Sequence, residues 1–190
     1  MIEVKPCTNE QAKETFDMYA KVINVFKPTP VRYQGDWLNI EEDYSPKKSS
    51  IFLIATKPKS PSIDREEIVG CMGVKRYGKI AILKHVAVES SYQGIKVEIH
   101  FNNGQSVRYE KHYNIAKFIL EELEKFCISQ GIGTLIIGTD SYYPSGLKFY
   151  EKNNYSPLEE SHILDHPDIY CAYQDYKDVD DTWLIKELEQ

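Results

Sequence analysis

HVAVESSYQG (residues 85–94) and NIAKFILEEL (residues 114–123) decide how this chain folds. The first runs from a β-strand into a turn, and the second opens an amphipathic helix. Joined directly, they make one strand–loop–helix unit. Its helix N-terminus, with unsatisfied amides and the positive end of the helix dipole, can hold a pyrophosphate. Between them stands IKVEIHFNNGQSVRYEKHY, residues 95–113, patterned as a β-hairpin. A three-residue loop Asn102-Asn103-Gly104 sets Val97 opposite Tyr109 and Ile99 opposite Val107, with Lys96–Glu110 and Glu98–Arg108 on the other face. Gly104 then takes the left-handed position such a loop needs. This register predicts an apolar stripe of Val97, Ile99, Val107 and Tyr109, packed on its own domain or on a second copy in a dimer. The charged face turns to solvent.

Upstream, Ile2 to Val4 reads as a short strand. Thr8 and Gln11 form a capping-box pattern ahead of Ala12, Phe16, Tyr19, Ile23 and Phe26 at helical spacing. That helix ends before Pro28 and Pro30. A short second helix is expected around Trp37 to Tyr44, then strands IFLIAT (51–56) and EIVGCMGVKRY (67–77) as a hairpin, and a strand from Ile80. Downstream, the helix from Asn114 carries Ile115, Phe118, Ile119, Leu123 and Phe126 on one face and stops at Gly131. TLIIGT (134–139) suits a buried strand, a helix spans about Ser145 to Asn153, and DTWLIKEL (181–188) closes the sheet. The order β-α-α-β-β-β-hairpin-α-β-α-β describes one mixed α/β domain over residues 1–190.

At 190 residues and 42 % hydrophobic composition, the chain can bury about 70 % of its unfolded surface. A net charge of −6 argues against nucleic acid, which needs a basic footprint, and weakly favours amine-bearing partners. No apolar run approaches the ~20 residues that span a bilayer, and MIEVKPCTNE lacks a signal-peptide pattern. Cys7, Cys71, Cys127 and Cys171 form no CxxC pair, so a reduced, cytoplasmic protein is expected.

The strand, the YQG turn and the NIAKFILEEL helix together resemble the acetyl-CoA signature of the GNAT acetyltransferase superfamily, Q/R-x-x-G-x-G/A after a strand ending in V-x-V. Val86, Ala87 and Val88 match the strand end that holds pantetheine. Gln93 and Gly94 match the start of the loop. Asn114, Ile115 and Ala116 match its final G-x-G/A, with Asn in place of the first Gly, and Lys117 with Lys111 and His112 adds positive charge. PSGLKFYEKNNY (144–155) is similar to the family's later helix, with Gly146 where Ala is usual and Asn154-Tyr155 where Gly-Phe is. The resemblance implies a largely antiparallel central sheet flanked by helices, with the extra hairpin at 95–113. It also implies acetyl-CoA as co-substrate and an amine as acceptor, with Tyr150 as the acid that protonates the departing thiolate. The family pattern has about one residue where this chain has 95–113, so a GNAT-like binding module without catalysis stands as the alternative.

His85 and Glu89 alternate onto one face of their strand, and either could relay a proton from the amine; the family more often uses a water chain. His162 and His166, with Asp165 and Asp168 nearby, have metal-like spacing. Pro167 breaks their helix face and no third ligand follows, so a solvated loop is expected and no metal. The acidic run Asp175, Asp178, Asp180, Asp181 reads as a solvated turn.

Overall fold

Apolar residues at Ile2 and Val4 place one face of β1 (Ile2–Pro6) in the core. The capping box forms as the sequence predicts: the Thr8 amide donates to Gln11 Oε1 (3.3 Å) and opens α1 (Asn9–Ile23), which buries Ala12, Phe16, Met18, Val22 and Ile23. A 3-10 turn (Gly35–Leu38) and the single turn α2 (Ile40–Asp43) stand where one short helix is expected. β2 (Ile51–Lys57), β3 (Glu67–Tyr77) and β4 (Ile80–Val88) follow. Then come β5 (Lys96–Asn102), β6 (Val107–Asn114) and α3 (Ile115–Ser129). The structure, a computed structural model, describes residues 1–27, 29–58, 66–103, 106–141, 143–176 and 182–189.

The chain divides into two compact units, Met1–Gly73 with His85–Leu123 and Val74–Lys84 with Glu124–Gln190. In the first, the strand order is β6-β5-β1-β2-β3-β4. β1 runs antiparallel to β2 (Val4 opposite Ala55) and parallel to β5 (Ile2 opposite Ile99, Val4 opposite Phe101). The insert is therefore two added strands of the sheet. In the second unit the order is β3-β4-β7-β9-β8, with β7 (Thr134–Thr139), α4 (Pro144–Lys152), β8 (Ser156–Pro157), α5 (Glu160–Asp165), α6 (Pro167–Tyr176) and β9 (Thr182–Glu187). β4 and β7 are parallel, and β9 is antiparallel to both β7 and β8. Ile80, Ile82, Ile136, Ile169, Trp183 and Ile185 form its core. The architecture is a mixed, largely antiparallel sheet flanked by helices.

The register of the hairpin differs from the sequence expectation. Ile99 faces Glu110, Phe101 faces Arg108 and Asn102 faces Val107, with an irregularity between Val97 and Ile99. The buried face is Ile99 and Phe101 with Arg108 beside them, whereas Val107 (69 % exposed) and Tyr109 (48 %) lie on the other side. Two forces outweigh the apolar alternation of β6. The Asn103 side chain accepts from the Ser106 amide (2.8 Å), making a longer connection than a three-residue loop. Arg108 also reaches Glu122 (2.7 Å) and Glu121 (3.2 Å) on α3, with its guanidinium 4.6 Å from the centre of the Phe118 ring. The Glu98–Arg108 and Lys96–Glu110 pairs expected to face solvent are thus replaced: Arg108 pairs with Glu110, Glu121 and Glu122. Burial opposes the charge on Arg108, but these three carboxylates push its pKa further above the usual range. Gly104 itself lies outside the described residues.

The stretch expected as a solvated loop forms two short helices instead. His162 Nδ1 accepts from the Glu159 amide (3.2 Å) and caps α5, and Pro167 opens α6 as a first-turn residue. Asp168 accepts from the Lys79 amide (2.8 Å), fastening the β3–β4 turn. Asp178, Asp180 and Asp181 of the acidic run lie outside the described residues.

Candidate functional site

β4 is not regular to its end. His85 has φ +54°, a left-handed conformation, and its carbonyl accepts from Cys71 Sγ (3.0 Å). Val86, Ala87 and Val88 complete the strand, and the Glu89 amide bonds to the Val69 carbonyl on β3 (2.9 Å). A 3-10 turn (Ser90–Tyr92) leads to Gln93, whose side-chain amide donates back to the Val88 carbonyl (2.7 Å). Gln93 thus stitches the turn to the strand end. Gly94 follows with φ +74° and open space around its α-carbon, so its requirement is conformational, not steric.

The chain returns from the insert at Asn114. Its side-chain oxygen accepts from the Lys117 amide (3.1 Å), the N-cap bond of α3. Asn114 therefore caps the helix and holds one of its amides. Ile115 and Ala116 supply the other first-turn amides, which have no partner within the helix. The Lys117 ammonium lies 3.9 Å from Glu121 and stacks 5.7 Å from the Tyr113 ring centre, which leaves half of the side chain exposed.

Gly70 on β3 shows that the two separated stretches meet. A methyl group placed on it would lie 3.3 Å from Ile115 Cγ2, 3.4 Å from the Ala87 carbonyl oxygen and 3.4 Å from Val88 Cγ2. The helix start and the strand end thus converge on one point despite the 19-residue insert between them (95–113). The gap at Gly70 is what lets them approach. Sequence reading misses this glycine, although a glycine inside a strand pattern signals close backbone approach.

Behind β4 lies a polar pair in an aromatic setting. His85 Nε2 sits 3.0 and 3.1 Å from the two Asp36 carboxylate oxygens, and Tyr44 donates to Asp36 Oδ2 (2.6 Å). The imidazole is flanked by Trp37 (4.5 Å between ring centres), Tyr19 (5.5 Å) and Phe52 (6.0 Å). Gly73 makes room, since a Cβ there would strike Phe52 (2.7 Å) and Tyr44 (2.9 Å). Glu89, the other sequence candidate for a base, is ion-paired with Lys21 of α1 (2.7 Å).

Tyr150 belongs to the second unit, on α4, buried at 3 % exposure between the rings of Phe149 (5.3 Å) and Tyr155 (5.6 Å). Gly146 and Asn154 both have local reasons. Gly146 leaves space for the Tyr143 ring, which a Cβ would meet at 2.5 Å. Asn154 takes φ +67° just past the helix end, the conformation a glycine otherwise supplies. Burial, then the nearby Glu124, pushes the Tyr155 hydroxyl well above its usual range, so it stays protonated. Among the described residues no cluster has the makings of a metal site, and no helix is long and apolar enough to cross a membrane.

No protein-family profile and no curated protein matches the sequence. Solved structures do. An acetyltransferase of the GNAT family from Staphylococcus aureus superposes with a TM-score of 0.75 at 21 % identity, over 100 % of both chains. An acetyltransferase from Streptococcus agalactiae gives 0.66 at 16 % identity over 98 % of each chain. PaiA N-acetyltransferase from Thermoplasma acidophilum, in complex with coenzyme A, gives 0.60 at 17 % identity over 98 % of this chain and 99 % of its own. The mixed, largely antiparallel sheet flanked by helices agrees with that likeness: this chain has the fold of the GNAT acetyltransferases.

Proposed function

We propose that the protein is an N-acetyltransferase that moves an acetyl group from acetyl-CoA to an amine of a small molecule or peptide. One observation carries this reading: Val88, Ala87 and Ile115 converge on Gly70, which supports a strand–turn–helix cradle on either side of the insert. The first-turn amides at Ile115 and Ala116, the Gly94 turn and the exposed part of Lys117 suit a pyrophosphate. Backbone groups of Val86, Ala87 and Val88 suit a pantetheine arm and the thioester carbonyl. The structural neighbours with coenzyme A bound make the same ligand the first to test here. The net charge of −6 favours an amine over nucleic acid as partner. The working form is one cytoplasmic domain over residues 1–190, alone or as a homodimer.

Titration with acetyl-CoA, CoA and ATP should separate this reading from its rival. Acetyl-CoA at 100 times its Kd should stabilise the protein by about 2.7 kcal/mol, seen as a raised melting temperature. No shift with any of the three ligands would leave a GNAT-like module that serves a partner without catalysis. That rival draws on Asn114, whose side chain already holds the Lys117 amide.

The sequence motif around Tyr150 supports it as the acid that protonates the leaving thiolate. Tyr150→Phe should lower kcat by about 10²-fold, the usual scale for a lost general acid, while acetyl-CoA affinity stays within twofold. Unchanged turnover would remove Tyr150 from the mechanism.

A further inference from the structure

β6 ends the sheet. Among the described residues it pairs with β5 alone, so its outer side presents backbone N–H and C=O groups that no described strand takes up. The regular part of this edge is bounded on both sides. The turn closed by the Ser106 amide on Asn103 precedes Val107, and His112 takes φ +59°, where extended geometry stops. Between them run Val107 to Lys111, with Tyr109 at the centre. Val107, Tyr109 and Lys111 are exposed along one face. Arg108 and Glu110 alternate onto the other, 2.9 Å apart, with side chains 22 % and 35 % exposed.

We propose that β6 is the docking edge for a second copy of this chain, paired antiparallel about a two-fold axis through Tyr109. Two identical antiparallel strands on such an axis set one residue opposite its own copy, and residues equally far on either side opposite each other. With Tyr109 on the axis, Arg108 faces the partner's Glu110, and Glu110 faces the partner's Arg108. On the other face Val107 lies across from the aliphatic stem of the partner's Lys111, and the two Tyr109 rings meet.

The neighbouring registers are unfavourable. An axis at Arg108 sets two guanidiniums against each other, one at Glu110 two carboxylates, and one at Lys111 two ammoniums. An axis at Val107 runs the Asn103–Ser106 turn into the partner's strand. A parallel pairing in register puts every charge beside its own copy. Charges on an edge strand ordinarily discourage pairing, because an arbitrary strand leaves them unmatched. The order Arg108-Tyr109-Glu110 matches them for one antiparallel mate, which is the same order read backwards. The inference holds whether or not the chain transfers acetyl groups.

Sedimentation velocity of the full chain, from about 2 to about 200 µM, reads the equilibrium. An edge this short makes a small interface, so dimer should appear towards the upper end of that range. Tyr109→Lys puts two ammoniums on the axis and should raise the dimer Kd by about tenfold or more. Its melting temperature at the lowest concentration should stay at the wild-type value, because the Tyr109 side chain is exposed. Leu164→Lys, at an equally exposed apolar residue on α5, should leave the Kd unchanged.

Cross-linking tests the register. It uses a Cys171→Ser background, which removes the exposed native thiol. Tyr109→Cys should oxidise to a covalent dimer, since β-carbons directly opposite across two strands lie about 5 Å apart. Lys111→Cys alone should not, whereas an equal mixture of Val107→Cys and Lys111→Cys should join one to the other. A chain that stays monomeric throughout overturns the proposal, even if β6 then binds an extended peptide. So does assembly beyond two copies, or a dimer whose Kd Tyr109→Lys leaves within twofold. Self-cross-linking of Lys111→Cys in place of Tyr109→Cys overturns it as well.

Discussion

Ile99→Asp is expected to lower the melting temperature by about 10 °C or more. Ile99 is fully buried on β5, between β1 on one side and β6 on the other, directly opposite Ile2 and Glu110. The substitution removes a buried aliphatic side chain, about 1.5–3 kcal/mol, and puts a carboxylate in its place, at a further cost of several kcal/mol unless it protonates. At about 2–4 °C per kcal/mol for a chain of this size, a loss of about 4 kcal/mol gives that shift. On the proposed function the same change should also weaken acetyl-CoA binding, because β6 ends at Asn114, the residue that caps α3. A variant with wild-type melting temperature and wild-type acetyl-CoA affinity would show the insert to be a passive surface loop.

Arg108→Met should destabilise the protein by about 2–3 kcal/mol, below the range for a fully buried pair because the guanidinium is partly exposed. Arg108 is shared by Glu110 (2.9 Å), Glu121 (3.2 Å) and Glu122 (2.7 Å), the last of these 8 % exposed. Methionine keeps an apolar stem against Phe118 and removes the charge with its hydrogen bonds. What remains is a group of carboxylates crowded on one side of α3, so the loss should be largest at low ionic strength and shrink in 0.5 M salt, where the Debye length falls below 5 Å. Denaturant unfolding at 0.05 and 0.5 M salt reads both quantities. A salt-independent loss would mean that Arg108 acts through its short-range hydrogen bonds to Glu110, Glu121 and Glu122 and not by relieving repulsion among them.

Local rules are legible in this sequence wherever the structure depends on neighbours in the chain. The Thr8–Gln11 capping box opens α1, and the V-A-V strand end and the helix from Asn114 stand where the pattern puts them. The register of β6 is not local. Its alternation allows either face to turn inward, and the choice falls to Glu121 and Glu122, 13 and 14 residues further on. The Asp36 partner of His85 is 49 residues away and follows no motif, so sequence reading reaches the histidine but not the carboxylate. Pro167 reads as a break in one helix, whereas it opens a second.

The position of β1 has a consequence for how the chain is made. Glu3 is paired with Thr56 on one side and with His100 on the other, so the second partner is 97 residues along the chain. Closing that larger loop costs only about 0.5 kcal/mol more than closing the first, so equilibrium hardly registers the difference. Synthesis does. Until residues 99–101 leave the ribosome, β1 presents a row of unmatched N–H and C=O groups to any other extended segment nearby. The hairpin closes that edge during biogenesis and carries the start of α3 into place in the same movement, since α3 begins at the residue after β6 ends.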